Sequence, residues 1–328
     1  MSVSTGNKNN DKATLKEKLI SRSLRSYFPL MLLAVLCLVF GIARPRFFTP
    51  DNFMIILTQM VMVGIAAMGL TFVIVGGSID ISIGSVVALS AVAAALTVPY
   101  LGVFAIIPAC LTGALCGAIT GTVFSVGKVP SFIATMGGMV AYRGVVLIVT
   151  KGRPIQINDE LFLKVFSGRT LNIPNAALIA LIFVVIAYII FNKTPFGREV
   201  RAIGGGERVA ALTGVRVTRT KMMMYLLAGA MYGIAGLLQS ARVVAATATI
   251  GEGLEMDVIA AVVVGGTPLT GGIGSIGGTI LGVLIITVLS NGMNMMGLSP
   301  YIQSISKGIV LVVAVFITID RKKIGIIK

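Results

Sequence analysis

The sequence predicts an all-α, polytopic membrane protein of about ten transmembrane or re-entrant helices, and three observations predict it. Mean hydropathy is +0.98, with 56% hydrophobic and only 12% charged residues across 328, whereas soluble domains carry roughly a quarter charged. Several apolar runs approach or exceed the roughly 20 residues that cross a bilayer as helix, and their glycines suit close helix packing. The short alternating strands of a lipid-spanning barrel are absent from the pattern.

In chain order the apolar segments fall at 28–43, 53–75, 84–98, 101–126, 132–150, 175–191, 222–241, 256–266, 275–296 and 304–319. The third and eighth are short for full spans and read as half-helices or re-entrant segments. A polar, basic tail (1–27) precedes this 28–320 membrane domain, and a basic tail (321–328) follows it. Within the first tail, 13–24 reads equally as an amphipathic surface helix or a frayed polar segment. No small-residue cleavage site follows the first apolar run, so no cleavable signal peptide is expected.

Placing the N-terminus in the cytosol puts eighteen Lys and Arg in cytosolic pieces and seven on the opposite side. Seven of the eighteen lie in the loop 192–221. That asymmetry predicts both termini and this loop in the cytosol. The formal charge of +15 is then accounted for by topology and anionic lipid, and no nucleic-acid partner is expected.

The chain has no histidine, and its cysteines, Cys37, Cys110 and Cys116, lie in apolar segments without paired spacing. Histidine catalysis, disulfide frameworks and common zinc sites are therefore disfavoured. No phosphate-cradling GxxxxGK[ST] motif occurs. If transport uses ATP, another subunit must supply it.

An internal echo is the strongest patterned signal. VIVGGSIDISIGS at 73–85 and VVVGGTPLTGGIGS at 262–275 share an apolar helix end, a Gly-Gly-hydroxyl break and an Ile-Gly-Ser restart. Such breaks free backbone groups that need protein or water partners, so they belong at a cavity or helix junction. Two matched breaks suggest a duplicated architecture, with both facing the cytosol.

Asp80 lies inside the first break. It is expected either to gate a pathway or, with Ser82, to cap the helix restarting there. Glu255 and Asp257 open the short eighth segment, where acids favour a helix start and could also line a path. Asn291 and Asn294, three apart on one helix face, suit interhelical hydrogen bonds or a polar path, and Gln303 extends that set. Arg143 is expected to pair with a buried acid or to snorkel outward.

Five stretches now combine: GGSIDISIGS, VPSFIATMGGMVAYRG (129–144), TPFGREVRAIGGGERVAALTGV (194–215), LEMDVIAAVVVGGTPLTGG (254–272) and NGMNMMGLSPYIQSISKG (291–308). In this order, and through nearly the whole chain after residue 45, the sequence resembles the ribose/galactose-type sugar ABC permease family. One departure is Gly204-Gly205-Gly206, where the family usually reads Gly-Gly-Asn.

The resemblance implies a permease subunit of a binding-protein-dependent importer, with no catalytic or cofactor site of its own. Two permease copies, identical or related, would form the pathway. Cytosolic ATP-binding subunits would use ATP and Mg, and a periplasmic or lipid-anchored sugar-binding protein would deliver the substrate. It also implies a short coupling helix seated in a groove of the ATPase. Glu207 starts a helix-compatible run, Val209, Ala211 and Leu212 supply an apolar face, and Gly214 stands at its C′ end. Arg198, Arg201 and Arg208 could meet acidic groove residues or the inner leaflet. The rival classes are an ion-coupled secondary transporter using Asp80, Glu255 or Asp257, a membrane scaffold, and an ABC permease for nucleosides or branched-chain amino acids.

Overall fold

A computed structural model describes residues 27–318. The surface helix expected at 13–24, the rest of the polar N-terminal tail and the basic C-terminal tail lie outside these described residues. Each of the ten expected apolar segments carries a helix: α1 (Tyr27–Ala43), α2 (Pro50–Val75), α3 (Ile83–Leu101), α4 (Ile106–Ser125), α5 (Ser131–Thr150), α7 (Asn175–Lys193), α10 (Val217–Val243), α11 (Leu254–Val264), α12 (Ile276–Met295) and α13 (Pro300–Thr318).

The eighth segment is short as expected, with 11 residues in α11. The third is not, because α3 runs 19 residues and carries Pro99 near its C-terminal end. A 3-10 turn at Gly102–Ala105 then leads directly into α4. Pro99 lacks the N–H that would donate to the Ala95 carbonyl, and the helix ends two residues later, so the loss is confined to its last turn.

Polar segments outside the long helices fold too. Between α5 and α7, β1 (Ile155–Gln156) is followed by α6 (Glu160–Phe166), whose cap Asp159 accepts from Phe162 N at 2.6 Å. The hairpin β2 (Arg169–Thr170) and β3 (Ile173–Pro174) completes this connection, turning through Leu171 and Asn172, both at positive φ. β1 pairs antiparallel with β4 (Ala245–Ala246), tying the connection to the end of α10.

The core is centred on α10, which packs most extensively against α4 and then against α2 and α3. The α4–α10 contact is glycine-lined: a Cβ on Gly113 would overlap the Gly229 carbonyl, and one on Gly229 would overlap that of Gly113. Small residues allow this approach, since membrane helices associate through van der Waals packing rather than hydrophobic exclusion. α2 and α12 pack together in opposite senses: the last residue of α2 lies beside the segment preceding α12, and the first turns of α2 share a pocket with the end of α12.

The loop between α7 and α10 holds two helices. α8 (Pro195–Gly205) begins with the Thr194 side chain accepting from Gly197 N and Pro195 in the first turn. It buries Gly197, Val200 and Ile203, three residues apart, while Phe196 stacks on Phe72 at 6.0 Å. α9 (Glu207–Leu212) follows after a one-residue break at Gly206. A single short helix was expected in this loop; the inward-packed α8 is the difference, and its Thr-Pro start is a regular helix opening.

Candidate functional site: a glycine joint and a polar pocket on one helix pair

The two Gly-Gly breaks, far apart in sequence, meet in the folded chain. Gly272 N donates to the carbonyl of Val75, the last residue of α2, at 2.8 Å. A Cβ on Gly271, which sits at φ +79°, would lie 2.6 Å from Gly77 Cα. Gly204, near the end of α8, enters the same point, where a Cβ would overlap the Val75 carbonyl and lie 2.5 Å from Gly272 N. Three backbones therefore touch with no side chain between them. Glycine is the residue that allows this, as it has no Cβ and adopts positive φ freely.

α9 projects from this joint. Glu207 pairs with Lys221 of α10 at 2.6 Å, and Lys221 lies over the Phe124 ring at 4.6 Å. Ala210 is buried inward, whereas Val209 is 66% and Leu212 82% exposed, with Ala211 exposed beside them. Gly214, at φ +88°, closes the helix as expected. Its N–H donates to Ala211 O at 3.1 Å and Val215 N donates to Ala210 O at 3.1 Å, the paired bonds of a Schellman end. Arg198 and Arg208 are exposed, while Arg201 stacks over Phe191 at 4.8 Å. A Cβ on Gly206 would meet nothing nearer than 3.8 Å, so a side chain can start there without displacing a neighbour.

Asp80 is 2% exposed, and its Oδ1 accepts from Ser82 N at 2.8 Å and Ser82 Oγ at 2.6 Å. Ser82 is the residue preceding α3, yet its hydroxyl is spent on Asp80 rather than on the helix. The expected capping pair is thus a local turn, with Asp80 as acceptor. Asp80 has no ion-pair partner among the described residues. Two buried tyrosines of α10, seven residues apart and so on one helix face, look onto this break. Tyr225 Oη donates to Ile79 O at 2.9 Å, and Tyr232 Oη approaches Asp80 without meeting hydrogen-bond geometry.

Glu255 and Asp257 lie in the first turn of α11, as the sequence predicts. The Glu255 carboxylate also abuts Gly84 in the first turn of α3, so it lies at two helix N-termini, whose dipoles offset part of the cost of its burial. Asp257 is held by Lys307 of α13 at 2.7 Å. Arg143 neither pairs with an acid nor reaches outward: it donates to the carbonyls of Ala248 and of Ile250, the latter at 3.0 Å. Both bonds come from Nη1, so one guanidinium nitrogen spans two carbonyls of the loop before α11.

At the opposite end of the α2/α12 pair, Asn291 and Asn294 line one pocket of 560 Å³ with Arg46, Asp51, Asn52 and Gln59. Gln303 donates to Asn294 Oδ1 at 2.7 Å and to Leu298 O at 3.0 Å, so it holds the turn into α13. The expected path candidates thus divide between two regions, with Asp80, Ser82 and Glu255 gathered at the start of α3 and Asn291, Asn294 and Gln303 at the far end of α12. Gln59 and the Tyr225/Tyr232 pair escaped sequence analysis, although a lone amide in an apolar run and a seven-residue tyrosine spacing were visible signals. Gly204, read there only as part of a family departure, is the residue of the loop that touches both breaks.

Residues 52–315 match the family described as the branched-chain amino acid transport system / permease component. The ribose import permease protein RbsC of Bacillus subtilis is 43% identical over 90% of this chain and 92% of its own length. RbsC of Escherichia coli K12 is 39% identical over 90% and 93%, and the L-arabinose transport system permease protein AraH of the same strain 33% over 90% and 90%. No solved structure matches the chain. Matched over most of its length and built from apolar helices, the chain is a multi-pass membrane permease component that belongs to the branched-chain amino acid transport system / permease component family.

Proposed function

We propose that this chain is the membrane-spanning subunit of an ATP-driven ABC importer that carries a monosaccharide across the bacterial inner membrane by alternating access. Its relatives are named as ribose, xylose and arabinose permeases, which favours a sugar over an amino acid. Both termini and the α8–α9 loop would lie in the cytosol. Two copies, identical or related, would form the path, an ABC ATP-binding subunit would dock on α9, and a sugar-binding protein would deliver substrate from outside.

The observation that carries this reading is the arrangement of α8 and α9. α9 leaves Val209, Ala211 and Leu212 uncovered, while the end of α8 is wedged into the junction of both helix breaks. A helix laid in a partner's groove is an economical means of passing a rigid displacement between subunits. ATP binding would draw paired α9 helices together and open the cavity outward; hydrolysis would reset it. The ion-coupled alternative finds less support at Asp257, whose charge Lys307 already pairs.

The test is ATP turnover and uptake by the reconstituted complex with its binding protein and a panel of sugars, nucleosides and branched-chain amino acids. Stimulation by a sugar is expected, and stimulation only by an amino acid would overturn the substrate class. Ala211→Asp places a charge in the apolar contact and is expected to reduce ATPase co-purification at least tenfold; unchanged co-purification and uptake would refute docking on α9.

A further inference from the structure

The polar pocket contains two kinds of amide. Asn52 is already engaged, its Nδ2 donating to Phe47 O at 2.8 Å, and Asn294 accepts from Gln303. These hold the walls. Gln59 and Asn291 are different: Gln59 Oε1 and Asn291 Oδ1 are buried with no hydrogen-bond partner, and Asn291 is only 3% exposed. Buried polar atoms in folded proteins are nearly always satisfied, so two orphans closed off just behind one pocket wall call for an explanation, and a turn of each side chain is what would present them to a ligand.

The pocket's chemistry narrows the ligand. Its 560 Å³ lies within the range of small-molecule sites. The charged residues, Arg46 and Asp51, are exposed at the rim, while the buried polar groups are neutral amides. An amide offers both donor and acceptor, and a turn about its last torsion exchanges them. A hydroxyl likewise donates and accepts. Neutral, polyhydroxylated molecules match such a wall, whereas an ion would find no compensating charge at depth.

We propose that Gln59 and Asn291 form a hydroxyl-binding subsite where a sugar rests on its way through the permease, an inference that rests on the proposed sugar import. On the proposed topology this pocket opens on the side that receives sugar from the binding protein. Its place on α2 and α12 matters, because the other end of the same pair carries the joint with α8. Movement at the joint would therefore shift the subsite with the helices that bear it.

The experiment compares sugar uptake per ATP hydrolysed in proteoliposomes holding the full complex, with saturating loaded binding protein. Gln59→Leu and Asn291→Leu are each expected to lower uptake about three- to tenfold, in line with loss of one neutral hydrogen bond. Co-purification of the ATPase and ATP turnover should stay within about twofold of wild type. Should Asn291→Leu fail to assemble, Asn291→Ser and the half-buried Gln59→Leu decide the matter, the serine variant retaining more uptake than any leucine variant. Wild-type uptake per ATP in assembled Gln59→Leu and Asn291→Ser complexes would overturn the subsite alone. Wild-type complex that imports no sugar, but does import an amino acid, would overturn the sugar reading and the subsite with it.

Discussion

The two ends of the α2/α12 pair are built from opposite materials. At the α9 end, Gly77, Gly204, Gly271 and Gly272 bring three backbones into contact with no side chain between them. At the far end, amide side chains border an open pocket and two of their oxygens stay unpaired. From Val75 to Gln59 is sixteen residues of helix, about 24 Å at 1.5 Å per residue. A backbone joint has no rotamers to absorb a displacement, whereas a wall of amides has polar capacity to spare for a ligand. The contrast teaches a division of labour along one pair of helices: glycine to transmit, amides to bind.

The largest expected effect comes from filling the joint. Gly271→Val adds a branched side chain at φ +79°, a backbone region hostile to β-branched residues, and its Cβ would meet Gly77. Uptake should fall at least a hundredfold, and wild-type uptake by this variant would remove the joint from the account. A smaller effect tests whether the charges near the path are structural. Lys307→Met leaves Asp257 unpaired at about a fifth exposed and should cost about 2 kcal/mol, between exposed and buried pairs. Thermal unfolding of the purified complex measures this, and adding Asp257→Leu should recover most of the loss. No recovery in the double variant would give Asp257 a role beyond pairing. The smallest effect is at Gly206, the residue before α9. Gly206→Asn has room for its Cβ and should stabilise α9 by only a few tenths of a kcal/mol. ATPase affinity would rise slightly if α9 is the docking helix and stay flat if it is not.

Much of this architecture was legible before any coordinates. Apolar length located all ten long segments, because in a bilayer the backbone leaves helix as the main way to satisfy itself. Gly214 was legible as a helix end because a left-handed C′ position favours glycine. α8 was missed although Thr194 and Pro195 announce it, since the loop's arginines drew attention to charge rather than to Val200 and Ile203. The length of α3 was underestimated because Pro99 and Gly102 look like an early stop, yet the helix runs two residues past the proline and gives up one hydrogen bond there. The echo between the breaks revealed likeness but not contact. That Gly271 lies on Gly77, with Gly204 beside them, depends on helix packing across about 190 residues and leaves no local signature. The orphaned state of Gln59 and Asn291 is likewise a property of the packed chain.

The central claim is that movement of the α8–α9 loop reaches the membrane helices through the backbone contact at Gly204. Gly204→Ala tests it most directly, since its Cβ would overlap the Val75 carbonyl while leaving the exposed side of α9 untouched. The measurement is sugar imported per ATP hydrolysed by the reconstituted complex. The account predicts that the ATPase still co-purifies and turns over ATP while the ratio falls at least tenfold. An assembled Gly204→Ala complex with the wild-type ratio would contradict it.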